Sequence, residues 1–294
     1  LYGANGMFVA IFTGIIAGLV FGAFAKFSFF KEDSVIPDFV RQWFDSLLPI
    51  MLLIAGGWLI VQVAGVDVAG AVQAVFMPLQ SALTSPVGFV FFCFLKCFIY
   101  SMGISTWVLT PVDEPVKLAV ITANLELVAA GVATYQNLGI FTETFMFCTY
   151  LWIGGIGCTL SLCLLMMTIC KSSELKALGR ACIVPGIFNI NEPIIFGAIA
   201  WNPLLMLPMW IQGIVLPIVT YIFTKVIPFA PIPRIQFDLW YCPYPISTFI
   251  ATQGSITGVI FAILTFVLSA AIWFPFVKAY DDQKVKEETA AIKA

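Results

Sequence analysis

Histidine is absent from this sequence, and charged residues are scarce: only 10% of its 294 residues are Asp, Glu, Lys or Arg. Without histidine, the chain cannot form a His-ligated metal site, a Ser-His or Cys-His nucleophile pair, or a phosphohistidine. The net charge of −2 gives no indication of nucleic-acid binding. There is also no CxxC pair among the eight cysteines. We therefore expect no metal and no other cofactor.

What the sequence has in abundance is apolar residues, at 61% of the chain with a mean hydropathy of +1.02. These values predict an all-α polytopic membrane protein with about six full spans. Within such spans, cysteine usually packs as a small apolar side chain, which we expect of Cys93, Cys97, Cys148, Cys158 and Cys163. Residues 66–83 alternate small, apolar and polar side chains and are typical of an interfacial helix. The apolar runs long enough to cross a bilayer are residues 7–30, 47–65, 87–102, 145–170, 204–227 and 256–276.

Three further apolar stretches, at 104–131, 183–200 and 235–251, are interrupted by prolines and polar residues. Lipid does not tolerate exposed irregular backbone, so these stretches are expected to be broken or re-entrant helices that line a cavity or pack inside protein. Discontinuous helices around a central site are typical of transporters.

The most informative stretch is 185–203, PGIFNINEPIIFGAIAWNP. It places Asn189, Asn191 and Glu192 inside apolar sequence, where a carboxylate is costly and marks a functional site by default. A carboxylate accepts sugar hydroxyls and an amide both donates and accepts, so the segment suits a polyhydroxylated ligand. Two alternatives remain open. The motif can be a helix cap at the membrane surface, or the two amides can serve only the backbone of the hairpin.

Lysine and arginine in short loops predict which regions face the cytoplasm. Residues 171–180 contain three positive residues and one acid, and residues 278–294 contain four lysines and four acids. Lys26, Lys31 and Arg41 flank the end of the first span, and all three regions are assigned to the cytoplasm. This rule places the first residue outside the cell, although no signal peptide is recognisable. We therefore expect an odd number of helices before the first residue, in a longer protein.

The segments GIFNINEPIIFG, KSSELKALGR and FTETFMFCTYLWIGGIGCTLSL resemble the membrane (IIC) component of bacterial sugar phosphotransferase systems, in the lactose/cellobiose/chitobiose branch. The resemblance implies an elevator-type transporter and a homodimer in the bacterial plasma membrane, with a cytoplasmic C-terminus. By the same resemblance, residues 1–86 would be the remainder of a dimerisation half, and this half would include the interfacial helix. Residues 87–277 would be the substrate-binding half with re-entrant hairpins, and residues 278–294 a charged cytoplasmic tail.

Carried over residue by residue, the family's sugar-binding glutamate falls on Glu192, with Asn191 beside it. The family's histidine falls on Ser105 in MGIST, and an aromatic residue falls near Tyr100. The tryptophan that often follows TGG falls on Ser255 in ATQGS, a motif whose Thr252 is also a candidate. Together with Asn189, these residues form the predicted sugar site. The missing histidine and tryptophan are departures from the family pattern that bring the usual substrate, and transport itself, into question.

Two charged features have open interpretations. Lys96, within an apolar run, either pairs with Glu192, Glu126 or Asp113 or snorkels to the interface. The Asp113-Glu114-Pro115 motif is either a second acidic hairpin tip or a solvated loop.

The aromatic residues Trp240, Tyr241 and Tyr244 either stack on sugar rings or form an interfacial belt.

The resulting functional hypothesis is a permease that binds and translocates a disaccharide of the cellobiose, chitobiose or lactose type. Phosphorylation is then expected to come from separate cytoplasmic IIB and IIA proteins, which carry the reactive cysteine and histidine, so an enzymatic role for this chain itself is left open. The alternative hypothesis is a sugar-binding or sensing protein, or a facilitator, that is no longer coupled to phosphorylation. An intramembrane enzyme is disfavoured because the sequence has no recognisable nucleophile-base pair.

Overall fold

A computed structural model describes residues 4–30 and 36–293. In these residues the chain is helical, with no strand. It divides into two compact units, Leu1–Gln80 and Ser81–Ala294. The α-helices, in chain order, are α1 (Ala4–Ala23), α2 (Asp38–Trp58), α3 (Val68–Thr84), α4 (Pro86–Ser101), α5 (Thr110–Ala129), α6 (Glu143–Cys148), α7 (Thr159–Thr168), α8 (Ser173–Ile187), α9 (Glu192–Ile194), α10 (Pro203–Tyr221), α11 (Ile246–Ala251) and α12 (Ile256–Lys293).

In the first unit, α1 contacts α2, and a π-helical turn at Leu59–Val63 continues α2. The chain leaves most of its large apolar side chains here exposed, including Leu19, Phe39, Trp43 and Ile54. Such an apolar surface is normal for helices that face lipid or other membrane helices. Lys31, which contributed to the predicted orientation, lies outside the described residues.

In the second unit, α10 packs along α4 and α12, while α7 packs along α8 and α12. Its core is built around large side chains that are completely buried, such as Phe145, Tyr150, Trp152 and Trp273. The cysteines behave as small apolar residues, because seven of the eight are buried and none forms a disulfide among the described residues.

Three helices in the described part of the chain are long and apolar enough to cross a bilayer: Asp38–Val63, Pro203–Val226 and Ile256–Ala291. The third contains the predicted span at 256–276, and the first two cover the predicted spans at 47–65 and 204–227 except for the last one or two residues. Two further helices pass this test only as a bent pair, Met77–Thr84 with Pro86–Ser101, and Ser85 caps the second by accepting a bond from Gly88 N at 3.0 Å.

The predicted span at 145–170 is wrong as a continuous helix. The chain instead forms α6, an irregular segment at 149–158, and α7. Gly154, Gly155 and Gly157 have φ angles of +82°, +95° and +87°, which cannot continue a right-handed helix. The apolar run at 145–170 therefore contains a buried loop and is not a single membrane span.

The predicted hairpin at 104–131 is also wrong. After a 3-10 turn at Thr106–Leu109, residues 110–129 form the single helix α5. Pro111 lies in its first turn, where a missing backbone N–H costs little, whereas Pro115 lies inside the helix. The Asp113-Glu114-Pro115 motif is therefore neither a hairpin tip nor a solvated loop, and Asp113 is fully buried.

The charged residues after Lys278 do not leave the last helix, since α12 continues without a break to Lys293. Asp281 in this extension is buried and accepts hydrogen bonds from Lys171 N at 2.8 Å and Ser172 N at 2.8 Å. Glu288, two turns later, accepts a bond from Ser172 Oγ at 2.7 Å. The extension therefore contacts the segment that begins α8.

Candidate functional site

The segment between α8 and α9 is the broken helix that the sequence predicts. Helix α8 ends at Ile187, Asn189 adopts a left-handed conformation with φ +60°, and Glu192 begins α9. Pro193 follows in the first turn, and a π-helical turn at Ile195–Ile199 continues the chain. The break presents the side chains of Asn189, Asn191 and Glu192 beside one another in a polar segment of a largely apolar unit.

The two asparagine side chains are held by backbone groups. Asn189 Oδ1 accepts a bond from Gly154 N at 2.7 Å, and its Nδ2 donates to the Trp240 carbonyl. Asn191 Nδ2 donates to the Ile156 carbonyl at 2.9 Å. These bonds correspond to the alternative in which the amides satisfy the hairpin backbone, and they fix the segment that carries Glu192.

Gly155 allows the irregular segment to approach Asn191 closely. A Cβ atom at position 155 would lie 2.5 Å from Asn191 Cγ, and the φ angle of +95° is itself unfavourable for other residues. Glycine at this position is therefore required by both the backbone conformation and the neighbouring amide.

These segments line a cavity of about 380 Å³, a size typical of small-molecule sites. Glu192 reaches it from α9 and is exposed there, whereas Asn189 and Asn191 are largely buried in its wall. The lining residues are Lys96, Tyr100, Thr106, Trp107, Thr110, Glu114, Lys117, Glu143, Phe147, Gly155, Ile156, Asn189, Asn191, Glu192, Asp238 and Trp240.

Tyr100 is the predicted aromatic residue that lies in this cavity. Its hydroxyl donates to Asn191 Oδ1 at 3.4 Å and lies next to the Glu192 carboxylate. Lys96 is one helical turn earlier on α4 and lines the same cavity, as the spacing predicts. Among the predicted site residues, the structure thus brings Tyr100, Asn189, Asn191 and Glu192 together.

Two other predicted site residues, Ser105 and Thr252, lie outside the cavity. Helix α4 ends at Ser101, so Ser105 is not on the face that carries Tyr100; its hydroxyl instead accepts a bond from Trp107 N at 3.4 Å. Thr252 follows α11, donates to the Thr248 carbonyl at 2.6 Å and lines a separate cavity of about 260 Å³.

Lys96 does not snorkel: it is almost completely buried, and its Nζ lies 2.6 Å from Asp113 Oδ2. Lys117 extends this ion-pair network, with Nζ 2.6 Å from Glu114 Oε2, 2.6 Å from Glu143 Oε2 and 3.4 Å from Asp113 Oδ2. Buried charges persist only with such partners, so the network ties α4, α5 and α6 together beside the cavity.

Several cavity residues were missed in the sequence, notably Lys117, Glu143 and Asp238. Glu143 stands alone in the apolar segment FTETFMF, and the rule that marks ionisable residues inside apolar sequence would have identified it. Lys117 and Asp238 carry no such signal, because they lie in mixed sequence and reach the cavity only through the fold.

The three candidate aromatic residues are not equivalent. Trp240 lines the cavity, whereas Tyr241 is exposed and its ring contacts that of Trp240 at a centroid distance of 5.4 Å. The Tyr244 hydroxyl is buried and has no hydrogen-bond partner among the described residues. Trp240 is therefore the one of the three whose position suits stacking on a ligand.

Comparisons with known proteins agree with this architecture. The model of the family "Phosphotransferase system, EIIC" matches residues 2–213. The lactose-specific EIICB component of Staphylococcus epidermidis is 30% identical over 295 residues, covering 97% of this chain and 49% of the relative. The cellobiose-specific EIIC component of Geobacillus stearothermophilus is 31% identical over 296 residues, covering 98% of this chain and 65% of the relative.

Among solved structures, the transporter ChbC matches with a TM-score of 0.85 and 30% identity. ChbC is the IIC component of an N,N'-diacetylchitobiose-specific phosphotransferase system, and the match covers 98% of this chain and 67% of ChbC. The chain spans about half the length of the lactose-specific EIICB relatives. The family match over most of the chain and the shared transporter fold place this protein in the EIIC family of the phosphotransferase system.

Proposed function

We propose that this protein is a sugar permease of the phosphoenolpyruvate-dependent phosphotransferase system. It binds a disaccharide of the cellobiose, lactose or chitobiose type in the cavity at Glu192 and carries it across the membrane. The relatives named for lactose, cellobiose and N,N'-diacetylchitobiose support this substrate class. The chain contributes the sugar site, and the phosphoryl group comes from partner proteins.

The observation that carries this proposal is the carboxylate of Glu192. It is exposed in a cavity of about 380 Å³, and no basic side chain lies within 4 Å of it in the part of the chain that the structure describes. An ionised carboxylate can accept several hydrogen bonds, so Glu192 is free to bind sugar hydroxyls. Trp240 and Tyr100 supply aromatic surface in the same cavity.

Calorimetry on the purified protein tests this site with the substitution Glu192→Gln. A hydrogen bond to a charged group contributes about 1.5–3 kcal/mol, so the variant should bind the cognate disaccharide at least about tenfold more weakly. Its melting temperature should remain close to that of the wild type, because Glu192 has no ion-pair partner to lose. Wild-type affinity in the variant would show that the sugar binds elsewhere.

The proposed assembly follows the family. Residues 1–86 form the dimerisation half of a homodimer, and residues 87–277 form the transport half. Residues 278–294 face the cytoplasm, as does the loop before α8, so that cytoplasmic IIB and IIA proteins reach the sugar from that side. The protein is located in the bacterial plasma membrane.

A second candidate is a sugar-binding or sensing protein, or a facilitator, without coupled phosphorylation. It is favoured by the serine at position 105, where the resemblance places the family's histidine, and because Ser105 is not among the residues that line the cavity. Sugar uptake in cells with and without the cytoplasmic phosphocarriers separates the two functions. Uptake that requires the phosphocarriers supports the permease, whereas uptake or binding that ignores them supports the second candidate.

A further inference from the structure

The cavity contains a second polar wall, on which Lys117 holds two carboxylates. Lys117 Nζ lies 2.6 Å from Glu114 Oε2 and 2.6 Å from Glu143 Oε2, and its side chain is only 6% exposed. A lysine ammonium has three protons, and the third direction is occupied by Asp113 at 3.4 Å. Lys117 therefore has no free donor for a ligand and serves to hold Glu114 and Glu143.

The charges around the cavity do not balance. Lys96 and Lys117 are shared among the three acids of the network, Asp113, Glu114 and Glu143. Two more carboxylates line the cavity, those of Glu192 and Asp238, and neither has a basic partner within 4 Å among residues 4–30 and 36–293. Five carboxylates thus accompany two ammonium groups, so the acidic groups outnumber the basic groups around the cavity by three.

The groups on this wall that remain free to bond to a ligand are hydrogen-bond acceptors. Each ionised carboxylate offers about four lone-pair sites, and Lys117 occupies sites on Oε2 of Glu114 and of Glu143. The side chains remain 29% and 19% exposed, respectively. Both carboxylates line the cavity with capacity to accept further hydrogen bonds.

We propose that Glu114 and Glu143 form a second subsite, for the other ring of the bound sugar, and that this subsite selects a disaccharide with a protonated amino group. The inference rests on the proposed disaccharide site at Glu192. An ammonium donates to the two carboxylates and brings a positive charge to carboxylates that outnumber their basic partners, which a neutral hydroxyl cannot do. An acetamido group brings a carbonyl acceptor and no charge, and a uronate or phosphate group is repelled.

An ammonium fits this wall better than a resident metal ion does. No group of three metal-ligating side chains in the described part of the chain is arranged to hold an ion.

Calorimetry with three disaccharides tests this selectivity: glucosamine disaccharide, its N,N'-diacetylated form and cellobiose. Below the pKa of the sugar amine, the wild type should bind the glucosamine disaccharide about tenfold more tightly than cellobiose. Above that pKa the preference should disappear. The acetylated sugar should bind no more tightly than cellobiose.

The substitutions Glu114→Gln and Glu143→Gln should each lower the preference for the amine about tenfold while changing cellobiose affinity less. Lys117 keeps two acidic partners in either variant, which favours retention of the fold. Glu126→Gln is the matched control, because Glu126 is an exposed residue of α5 outside the cavity. This variant should prefer the glucosamine disaccharide over cellobiose to the same extent as the wild type.

Each outcome of this experiment is decisive. Equal affinity of the wild type for cellobiose and the glucosamine disaccharide overturns the second subsite but leaves the site at Glu192 intact. An unchanged preference in both Glu114→Gln and Glu143→Gln also overturns it, since the selectivity then arises elsewhere. Failure of all three sugars to bind the wild type overturns the proposed function together with the subsite.

Discussion

The amides of Asn189 and Asn191 and the carboxylate of Glu192 divide the work within one short segment. The amides bond to backbone groups of Gly154, Ile156 and Trp240, and Asn191 also accepts a bond from the Tyr100 hydroxyl. The Glu192 carboxylate lines the cavity and accepts no backbone hydrogen bond from the described residues. Fixing the segment in advance lowers the entropy that ligand binding must overcome, so the asparagines contribute to affinity through position.

The backbone of Gly155 lies close to the side chain of Asn191. The substitution Gly155→Ala tests whether this contact positions the sugar site. The added Cβ would lie 2.5 Å from Asn191 Cγ, so the amide must move and the segment of Glu192 with it. We expect weaker sugar binding in calorimetry as well as a lower melting temperature. The strained φ angle alone costs about 1–3 kcal/mol.

Gly131→Ala is the control for this strain. Gly131 has a φ angle of +70°, but nothing lies within 4 Å of its added Cβ. It should therefore lower the melting temperature without affecting sugar affinity. If the two alanine variants bind sugar equally well, contact with Asn191 does not position the site.

The buried ion pair of Lys96 and Asp113 forms between two different helices, so the sequence alone did not determine which acid Lys96 contacts. These residues are 17 positions apart in the chain, and the Lys117–Glu143 pair is 26 apart. Nothing in the local sequence indicates which acid a lysine will contact. Glu192 could be predicted because its whole neighbourhood in the chain is apolar, whereas the network required the packing of α4, α5 and α6.

At the scale of elements, the predicted helices are correct where an apolar run contains no residue with a positive φ angle. The run at 204–227 is such a case, since α10 and its π-helical end occupy Pro203–Val226. The run at 145–170 failed because three glycines with positive φ end the helical path inside apolar sequence. Hydropathy reports burial, and it does not by itself distinguish a buried loop from a span.

The extension of α12 beyond Lys278 was missed for a different reason. Its charges indicated a charged cytoplasmic tail, in which acidic side chains are usually exposed. Asp282 is exposed, but Asp281 is 5% exposed and caps the backbone N–H groups of Lys171 and Ser172. A charged sequence of good helix formers continues the helix when a partner for its acids lies within reach.

The substitution Asp281→Asn tests whether this contact stabilises the α7–α8 connection. Asp281 accepts three charge-assisted contacts from two backbone groups, and the neutral amide weakens them. The free energy of unfolding, measured by chemical denaturation in detergent, should fall by about 1.5–3 kcal/mol. Asp282→Asn should change it by less than about 0.5 kcal/mol, because that residue is exposed. Equal effects in the two variants would mean that the contact is not stabilising.

At the scale of the whole molecule, the apolar surface is as informative as the core. Many large side chains on the long helices are exposed, such as Trp58 on α2, Leu207 on α10 and Val267 on α12. Only 6% of the most apolar window of Asp38–Val63 is buried, against 50% for Pro203–Val226. The first unit thus presents more surface to lipid or to another chain, which is consistent with the proposed dimerisation half.

The proposed orientation is the last property to test, and cysteine accessibility can test it. Lys171 precedes α8 and Lys176 and Arg180 lie within it, and positive residues near the end of a span favour the cytoplasmic side. A cysteine introduced by Ser173→Cys, in a chain that also carries Cys242→Ala, should resist membrane-impermeant thiol reagents in intact cells and react after lysis. The other seven native cysteines are buried.

Arg234→Cys in the same background is the opposite marker. It lies in the connection between α10 and α12, one span away from each cytoplasmic region, and it is exposed. In intact cells it should react where Ser173→Cys does not. If the two positions exchange their reactivity, the charged extension of α12 faces away from the cytoplasm. The surface proposed for the phosphorylating partner would then lie on the wrong side of the membrane, although the sugar cavity at Glu192 would be unaffected.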